Sequence, residues 1–234
     1  MSSRHDLRLD WCSYEAAKYA VEHWHYSRRM PMPPMVRIGV WEGGRFVGCV
    51  IFARGNTPTL GRAYGLEMTE VAELVRVALT NHATPVSRIV SIALKMLRKA
   101  APELRLVVSF ADPAEGHHGG IYQAGGWVYT GESEPSWQWF HEGRWKHNRE
   151  ITSGAFGGSR KVADYKVLPK RLPLGKHRYL MPLDDDMRRR ITPLAKPYPK
   201  RPTRGTGETD SAPGSNRETG GASPTVPLLP EDND

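Results

Sequence analysis

The chain has 234 residues, 39% of them hydrophobic and 9% aromatic, and a formal net charge of +8. That suits one folded domain with extra segments and is too short for two large domains. No apolar run approaches the roughly 20 residues that cross a bilayer. The first residues lack the apolar core of a secretory signal, and Cys12 and Cys49 show neither a disulfide framework nor metal-ligand spacing. A soluble intracellular protein in a reducing compartment is expected, with no membrane partner.

Ser13 is placed to cap a helix running to about His23, with Tyr14, Ala17, Val21 and Trp24 at helical spacing. The stretch from His25 to Pro34 carries three prolines and is expected as an extended loop. Strands are expected at Val36–Trp41 and Arg45–Ala53, joined by a tight hairpin whose Gly43 and Gly44 can take positive φ. A third strand is expected at Val71–Leu79. The clearest helix follows, with Thr84 as its cap, Pro85 in its first turn, and Val86, Ile89, Val90, Ala93, Leu94 and Leu97 as one apolar stripe. Leu104–Ala111 reads as a strand, His118–Ala124 as a short helix, and Val128–Tyr129 with Ser136–Phe140 as further strands. This order predicts an α/β fold, a mixed sheet flanked by helices, and resembles that of GNAT-type acyltransferases. The expected division is a GNAT-like core at 1–142, a basic extension at 143–192 packing on it, and a disordered Pro/Gly/Ser-rich tail at 193–234.

The strand at Val107–Ala111 runs into a loop crowded with chemistry-bearing side chains, the usual place for an α/β active site. Ser109 and Asp112 stand three apart at the strand exit; Asp112 can accept a proton or hold a metal, or form an Asx-turn before Pro113. Tyr122 can serve as a general acid or pack on Trp127. His25 and Tyr26 lie where the first helix gives way to the Pro-rich loop, as a base or metal ligand and a donor or stacking surface. Either His117 or His118 can join His25 and Asp112 in an iron site, since two imidazoles and one carboxylate leave positions open. Arg76 is a charge in an apolar strand and must reach Glu73 or an anionic ligand. Ser87 and Arg88 open the strong helix, whose free N–H groups suit a phosphate.

Between Arg144 and Arg190 stand thirteen Lys and Arg against five Asp and Glu, which accounts for the whole net charge. With Arg28 and Arg29 ahead of it, a segment holding Arg144, Lys146, Arg149, Arg160, Lys161, Lys166, Lys170, Arg171, Lys176 and Arg178 would attract a polyanion, and double-stranded DNA is the expected partner. Trp137, Trp139, Phe140 and Trp145 interleave with these cations, as stacking surfaces for an extracted base or as core residues of a strand.

Seven segments, taken in order over about residues 14 to 183, resemble the bacteriophage Mom family, which modifies adenine in phage DNA against host restriction. They are His25-Tyr-Ser-Arg-Arg-Met-Pro31, Glu73-Leu-Val-Arg-Val-Ala-Leu79, the helix entry Asn81 to Arg88, Val107-Val-Ser-Phe-Ala-Asp112, Gly116-His-His-Gly-Gly-Ile-Tyr-Gln-Ala124, Trp127-Val-Tyr-Thr-Gly131 and Gly175-Lys-His-Arg-Tyr-Leu180. The resemblance implies a GNAT-like transferase that places a carbamoylmethyl (acetamido-type) group on the N6 amine of adenine, in the cytoplasm of the infected host. It implies functional roles for His25, Tyr26, Arg76, Ser87, Asp112 and Tyr122, with iron at His25, Tyr26 and Asp112, and acetyl-CoA or another acyl or glycine-derived donor. The usual GNAT phosphate fingerprint is absent, and Asn81-His-Ala-Thr-Pro-Val-Ser-Arg88 stands in its place. An ordinary GNAT N-acyltransferase and a non-catalytic DNA-binding protein are the competing readings.

Overall fold

The computed structural model describes residues 6–54, 59–153 and 165–201, apart from the side chains of Arg149, Thr152 and Ser153. Arg160, Lys161 and the stretch 202–234 of the expected tail lie outside the described residues. The alternating pattern of the amino-terminal half folds as expected into the hairpin β2 (Met35–Glu42) and β3 (Arg45–Ala53), with Gly43 and Gly44 both at positive φ. β3 pairs with β4 (Val71–Leu79), and a strand not expected from sequence, β1 (Leu7–Trp11), adds to the free edge of β2. Its Leu7-Arg-Leu-Asp-Trp11 alternation, with Arg8 and Asp10 facing solvent and paired with each other, is a strand signal.

The sheet continues through β5 (Leu106–Ala111) to β10 (His177–Pro182) and β6 (Val128–Glu132), giving the order β1-β2-β3-β4-β5-β10-β6. β4 and β5 form its one parallel pair among the described strands. Helix α2 (Val86–Ala100) covers one face, burying Ile89, Val90, Ala93, Leu94 and Leu97 against Val50, Phe52, Leu74 and Val107. The short α3 (Gly120–Ala124) joins it through Tyr122. On the opposite face α1 (Tyr14–Trp24) packs Ala17, Ala20 and Val21 on Cys49, Ile51 and Ala78. α5 (Asp185–Ile191) packs Met187 and Ile191 on Leu106, Val108 and Leu180. The expected α/β fold, a mixed sheet flanked by helices, is observed.

Two expectations need correction. The segment 143–192 is not an appendage. Its β10 pairs over six residues with β5 and also with β6, so it is an internal strand of the main sheet. The preceding part forms a small sheet, β8-β7-β9, from β7 (Gln138–His141), β8 (Arg144–His147) and β9 (Lys170–Arg171), with α4 (Asn148–Ser153) beside it. Residues 193–201, expected in the tail, are tied to the core: the Lys196 amide donates to the Tyr129 carbonyl at 2.8 Å and the Tyr198 hydroxyl to that of Trp127 at 2.7 Å.

Thr84 does not cap α2. The cap position is Pro85, which offers no side-chain acceptor. The entry is held instead by Glu42 at the end of β2, whose carboxylate accepts from the amides of Ala83 and Thr84, each at 2.7 Å. Burial would raise the Glu42 pKa, but the Thr84 hydroxyl and the two amides outweigh it and hold it down to about 2.

Glu42→Ala is expected to destabilise the fold by about 1 kcal/mol in urea melts, through loss of two charge-assisted bonds to a partly exposed turn. Because the folded pKa lies below the ordinary glutamate value of 4.5, this contribution is complete above pH 4.5 and lost as pH falls through about 2. The wild-type and variant stabilities should therefore converge towards acid.

Candidate active site

β4 and β5 pair only at Val71↔Leu106, Ala72↔Val107 and Glu73↔Val108. Beyond that they separate, and the backbone groups facing the split need other partners. Ser109 supplies one at the point of separation: its hydroxyl lies 2.9 Å from the Leu74 carbonyl and 2.7 Å from the Tyr122 hydroxyl. A serine hydroxyl carries one hydrogen. With Leu74 able only to accept, the consistent direction is Tyr122 donating to Ser109 and Ser109 donating to Leu74. Burial pushes the Tyr122 pKa up to about 12, the Ser109 hydrogen bond opposing it. Tyr122 therefore holds its proton at the floor of the split. It also packs on Trp127 at a ring distance of 5.1 Å, so the two sequence readings of this residue are compatible.

Asp112 leaves β5 where the split is open. One carboxylate oxygen accepts from the Ala114 amide at 3.0 Å, the Asx-turn, and the other lies 2.9 Å from the Lys176 ammonium. Sequence reasoning assigned Lys176 to DNA. The β5–β10 pairing, which no local pattern announces, brings it to Asp112. The loop after Asp112 is anchored by Tyr179, which donates to the His118 carbonyl at 2.6 Å. Gly119 has φ of +81°, and a Cβ there would fall within 2.3 Å of the Tyr179 ring, so no larger residue fits.

His25 stands at the carboxy-terminal cap of α1, as expected, with its amide on the Val21 carbonyl. Its Nδ1 accepts from the Ser27 amide at 3.1 Å, with the Ser27 hydroxyl 2.8 Å away. An amide can only donate, so Nδ1 is unprotonated. Burial, Arg76 and His117 lower the His25 pKa to about 3, which keeps the ring neutral with its hydrogen on Nε2. In this arrangement the outward nitrogen of His25 is a hydrogen-bond donor. The His25 and Tyr26 rings lie 4.3 Å apart, and Tyr26 meets His117 edge-on at 5.3 Å. Burial raises the Tyr26 pKa, with Lys176 and Arg76 opposing and Asp112 and Glu115 adding to the rise. His25, Tyr26, Asp112, His117 and Lys176 therefore form one cluster at the mouth of the split.

Arg76 faces this loop. Its Nε donates to the Arg29 carbonyl at 3.0 Å and one terminal nitrogen to the Val75 carbonyl at 2.7 Å, so it positions the turn that carries His25 and Tyr26. Ser87 and Arg88 do not join the cluster. Arg88 is exposed, while Ser87 lines a groove of about 470 Å³ along α2 with Ser91, Lys95, Arg98 and Arg188.

An iron site at His25, Tyr26 and Asp112 does not fit this arrangement. Nδ1 of His25 is taken by the Ser27 amide, its other nitrogen carries a hydrogen, and both Asp112 oxygens have donors, one of them an ammonium. Among the described residues no three His, Cys, Asp or Glu side chains converge as a metal site.

The cations expected on DNA divide by the pleat of the small sheet. Trp139 is 8% exposed and Lys146 only 3%. Trp139 packs edge-on against Tyr165, and Lys146 bonds Glu142 and His141, so neither presents itself to a polyanion. Arg29 and Arg144 both bind the buried Glu150, and Arg178 donates to Thr130 at 2.9 Å. Lys170 and Arg171 remain exposed, stacked over Trp137 and Trp145 at 4.8 and 4.4 Å. Arg28 is exposed in the left-handed region, with φ of 47°.

The Mom protein family matches residues 6–200. The chain is 33% identical over 211 residues to the protein named methylcarbamoylase mom of Escherichia phage Mu, covering 83% of this chain and 84% of that one. Among solved structures, an N-acyl amino acid synthase from uncultured soil microbes is 12% identical, with a TM-score of 0.46 over 81% of this chain and 96% of the other. A spermidine N-acetyltransferase of Vibrio cholerae, solved with CoA and spermine, is 9% identical, with a TM-score of 0.42 over 75% and 95%.

Two measurements follow from this geometry. The His25 ring signals should stay at neutral, Nε2-protonated positions from pH 5 to 8 in nuclear magnetic resonance titrations; a midpoint near the ordinary histidine value would refute the assignment. Ser109→Ala should lower stability by about 1–3 kcal/mol, because it leaves the Leu74 carbonyl and the buried Tyr122 hydroxyl without their shared partner.

Proposed function

The chain belongs to the Mom protein family, and from that membership we propose that it is a DNA-modifying transferase acting on adenine in phage DNA, protecting that DNA from host restriction. We infer further that the group transferred to the N6 amine is carbamoylmethyl, of the acetamido type. The observation that carries the reading is the cluster at the mouth of the β4–β5 split. There an acceptor carboxylate, a neutral imidazole N–H donor and a protonated phenol stand around one opening.

In this reading the adenine leaves the stack and enters the opening, with Tyr26 as a stacking surface beside His117. The exocyclic amine is a poor nucleophile because its lone pair is shared with the ring. Asp112 orients it and takes its proton as the new N6–carbon bond forms, while Lys176 holds the carboxylate in place. His25 donates from Nε2 to an oxygen that gains charge during transfer. Tyr122, kept protonated by burial, is the proposed proton source for the departing group, and to act so its hydroxyl must turn from Ser109 towards the opening. Arg76 positions the His25–Tyr26 turn. No step is routed through iron.

For a carbamoylmethyl product the proposed donor is a glycine-derived compound, which already holds linked nitrogen, methylene and carbonyl; acetyl-CoA would deliver an acetyl group and belongs to the competing N-acyltransferase reading. The groove along α2, with Ser87, Lys95, Arg98 and Arg188 on its walls, suits a donor bearing phosphates. Lys170, Arg171 and Arg28 are the proposed contacts to the DNA backbone. A site in cytoplasmic DNA of the infected host follows from the same reading.

Expression in a bacterial host followed by digestion of its DNA to nucleosides should reveal an adenosine heavier by one carbamoylmethyl group in mass spectrometry. Asp112→Asn should reduce it at least about 100-fold, within the range lost with a general base, while leaving the urea midpoint nearly unchanged. Unmodified nucleosides from abundant, folded wild-type protein would refute the assignment. Tight acetyl-CoA binding without DNA affinity would instead favour an N-acyltransferase of small amines.

A further inference from the structure

The segment joining β9 to β10 carries two large apolar side chains that the fold does not bury. Leu172 is 50% exposed and Leu174 is 74% exposed. Between them Pro173 restricts the backbone. Lys170 and Arg171 precede the pair, and Lys176 follows it on Asp112. The far end of the segment is fastened: the Ser133 amide donates to the Lys176 carbonyl at 2.8 Å, and the Lys176 amide to the Ser133 hydroxyl at 3.0 Å. Gly175 is buried there, and a Cβ on it would fall 2.0 Å from the Ser133 carbonyl oxygen. The leucines therefore stand on a clamped base and are not the free tip of a long loop.

Only Gly175 separates Leu174 from Lys176, a span of at most about 7 Å between their Cα atoms. An exposed apolar side chain is thus held next to the catalytic cluster, just after Lys170 and Arg171, exposed cations that draw it to a phosphate backbone. An adenine that leaves a duplex opens a gap between apolar base faces, and an apolar side chain entering that gap offsets part of the lost stacking. The exposed charge of Lys170 and Arg171 selects DNA as the occupant over a second copy of this basic chain.

We propose that Leu174 is a wedge that enters duplex DNA where the target adenine is extruded, with Leu172 supporting it against the neighbouring base pair. Leu174 is a positioning residue: it touches the stack and not the reacting atoms. The proposal rests on the adenine-modification reading.

The test compares wild type, Leu174→Ala and Leu174→Met on double-stranded and single-stranded DNA of one sequence, in host extract that supplies the donor, with modified adenine counted by mass spectrometry. Duplex modification by Leu174→Ala should fall about ten-fold or more, with single-stranded modification and salt-dependent duplex binding within about two-fold of wild type. Leu174→Met should restore most of the duplex activity. Undiminished duplex modification by Leu174→Ala would overturn the wedge while leaving the adenine reading intact. An equal loss on both DNA forms would also overturn it, placing Leu174 among the groups that handle the base itself. Absence of modified adenine with wild type on either DNA would refute the underlying reading and, with it, this one.

Discussion

The rest of the structure depends on the place where β4 and β5 stop pairing. A parallel pair that continued through Ser109 would fill the middle of the sheet with ladder hydrogen bonds and leave no opening. The separation after Glu73 and Val108 makes room within the sheet without breaking its core, because Ser109 and Tyr122 satisfy the carbonyl left at the vertex. Asp112 reaches the mouth because β5 ends there. Arg76 reaches the His25 turn because β4 has diverged from its neighbour and its side chain lies on the α1 face.

The basic character of the chain takes on a different meaning in three dimensions. Several cations that look like a polyanion surface in the sequence are structural. Glu150 gathers Arg29 and Arg144 and thereby joins the His25 loop to α4. Arg105 binds Asp184 and Asp186 at the start of α5. What remains outward at the small sheet are cations already stacked on indole rings, an arrangement that keeps aromatic faces and charge together at the surface.

Legibility in the sequence followed the range of the interactions involved. Hairpin, α1, α2 and β5 were readable because periodicity and turn residues are local. The crowding of Ser109, Asp112 and Tyr122 was readable as well, since a strand end followed by a polar loop is a local pattern. The partners were not. Lys176 meets Asp112 only through antiparallel pairing of strands more than sixty residues apart. The state of His25 is set by Ser27, two residues away, and that signal was available in principle: a serine amide can cap the ring of a histidine that ends a helix. In the small sheet the alternation is present in the sequence, but Tyr165 and Glu142 decide which face turns inward, so the sequence alone leaves Trp139 open between surface and core and does not show that Lys146 is buried.

The insertion of β10 between β5 and β6 also bears on when the molecule becomes competent. The sheet's sixth position in space is filled by the last of its described strands in sequence. During synthesis, β5 and β6 emerge with a vacant slot between them, and Lys176 does not yet exist to meet Asp112. Pairings of such long sequence separation close late. A chain that has not yet been made as far as β10 therefore presents most of the helices and the hairpin but an incomplete sheet, and lacks the ammonium that meets Asp112.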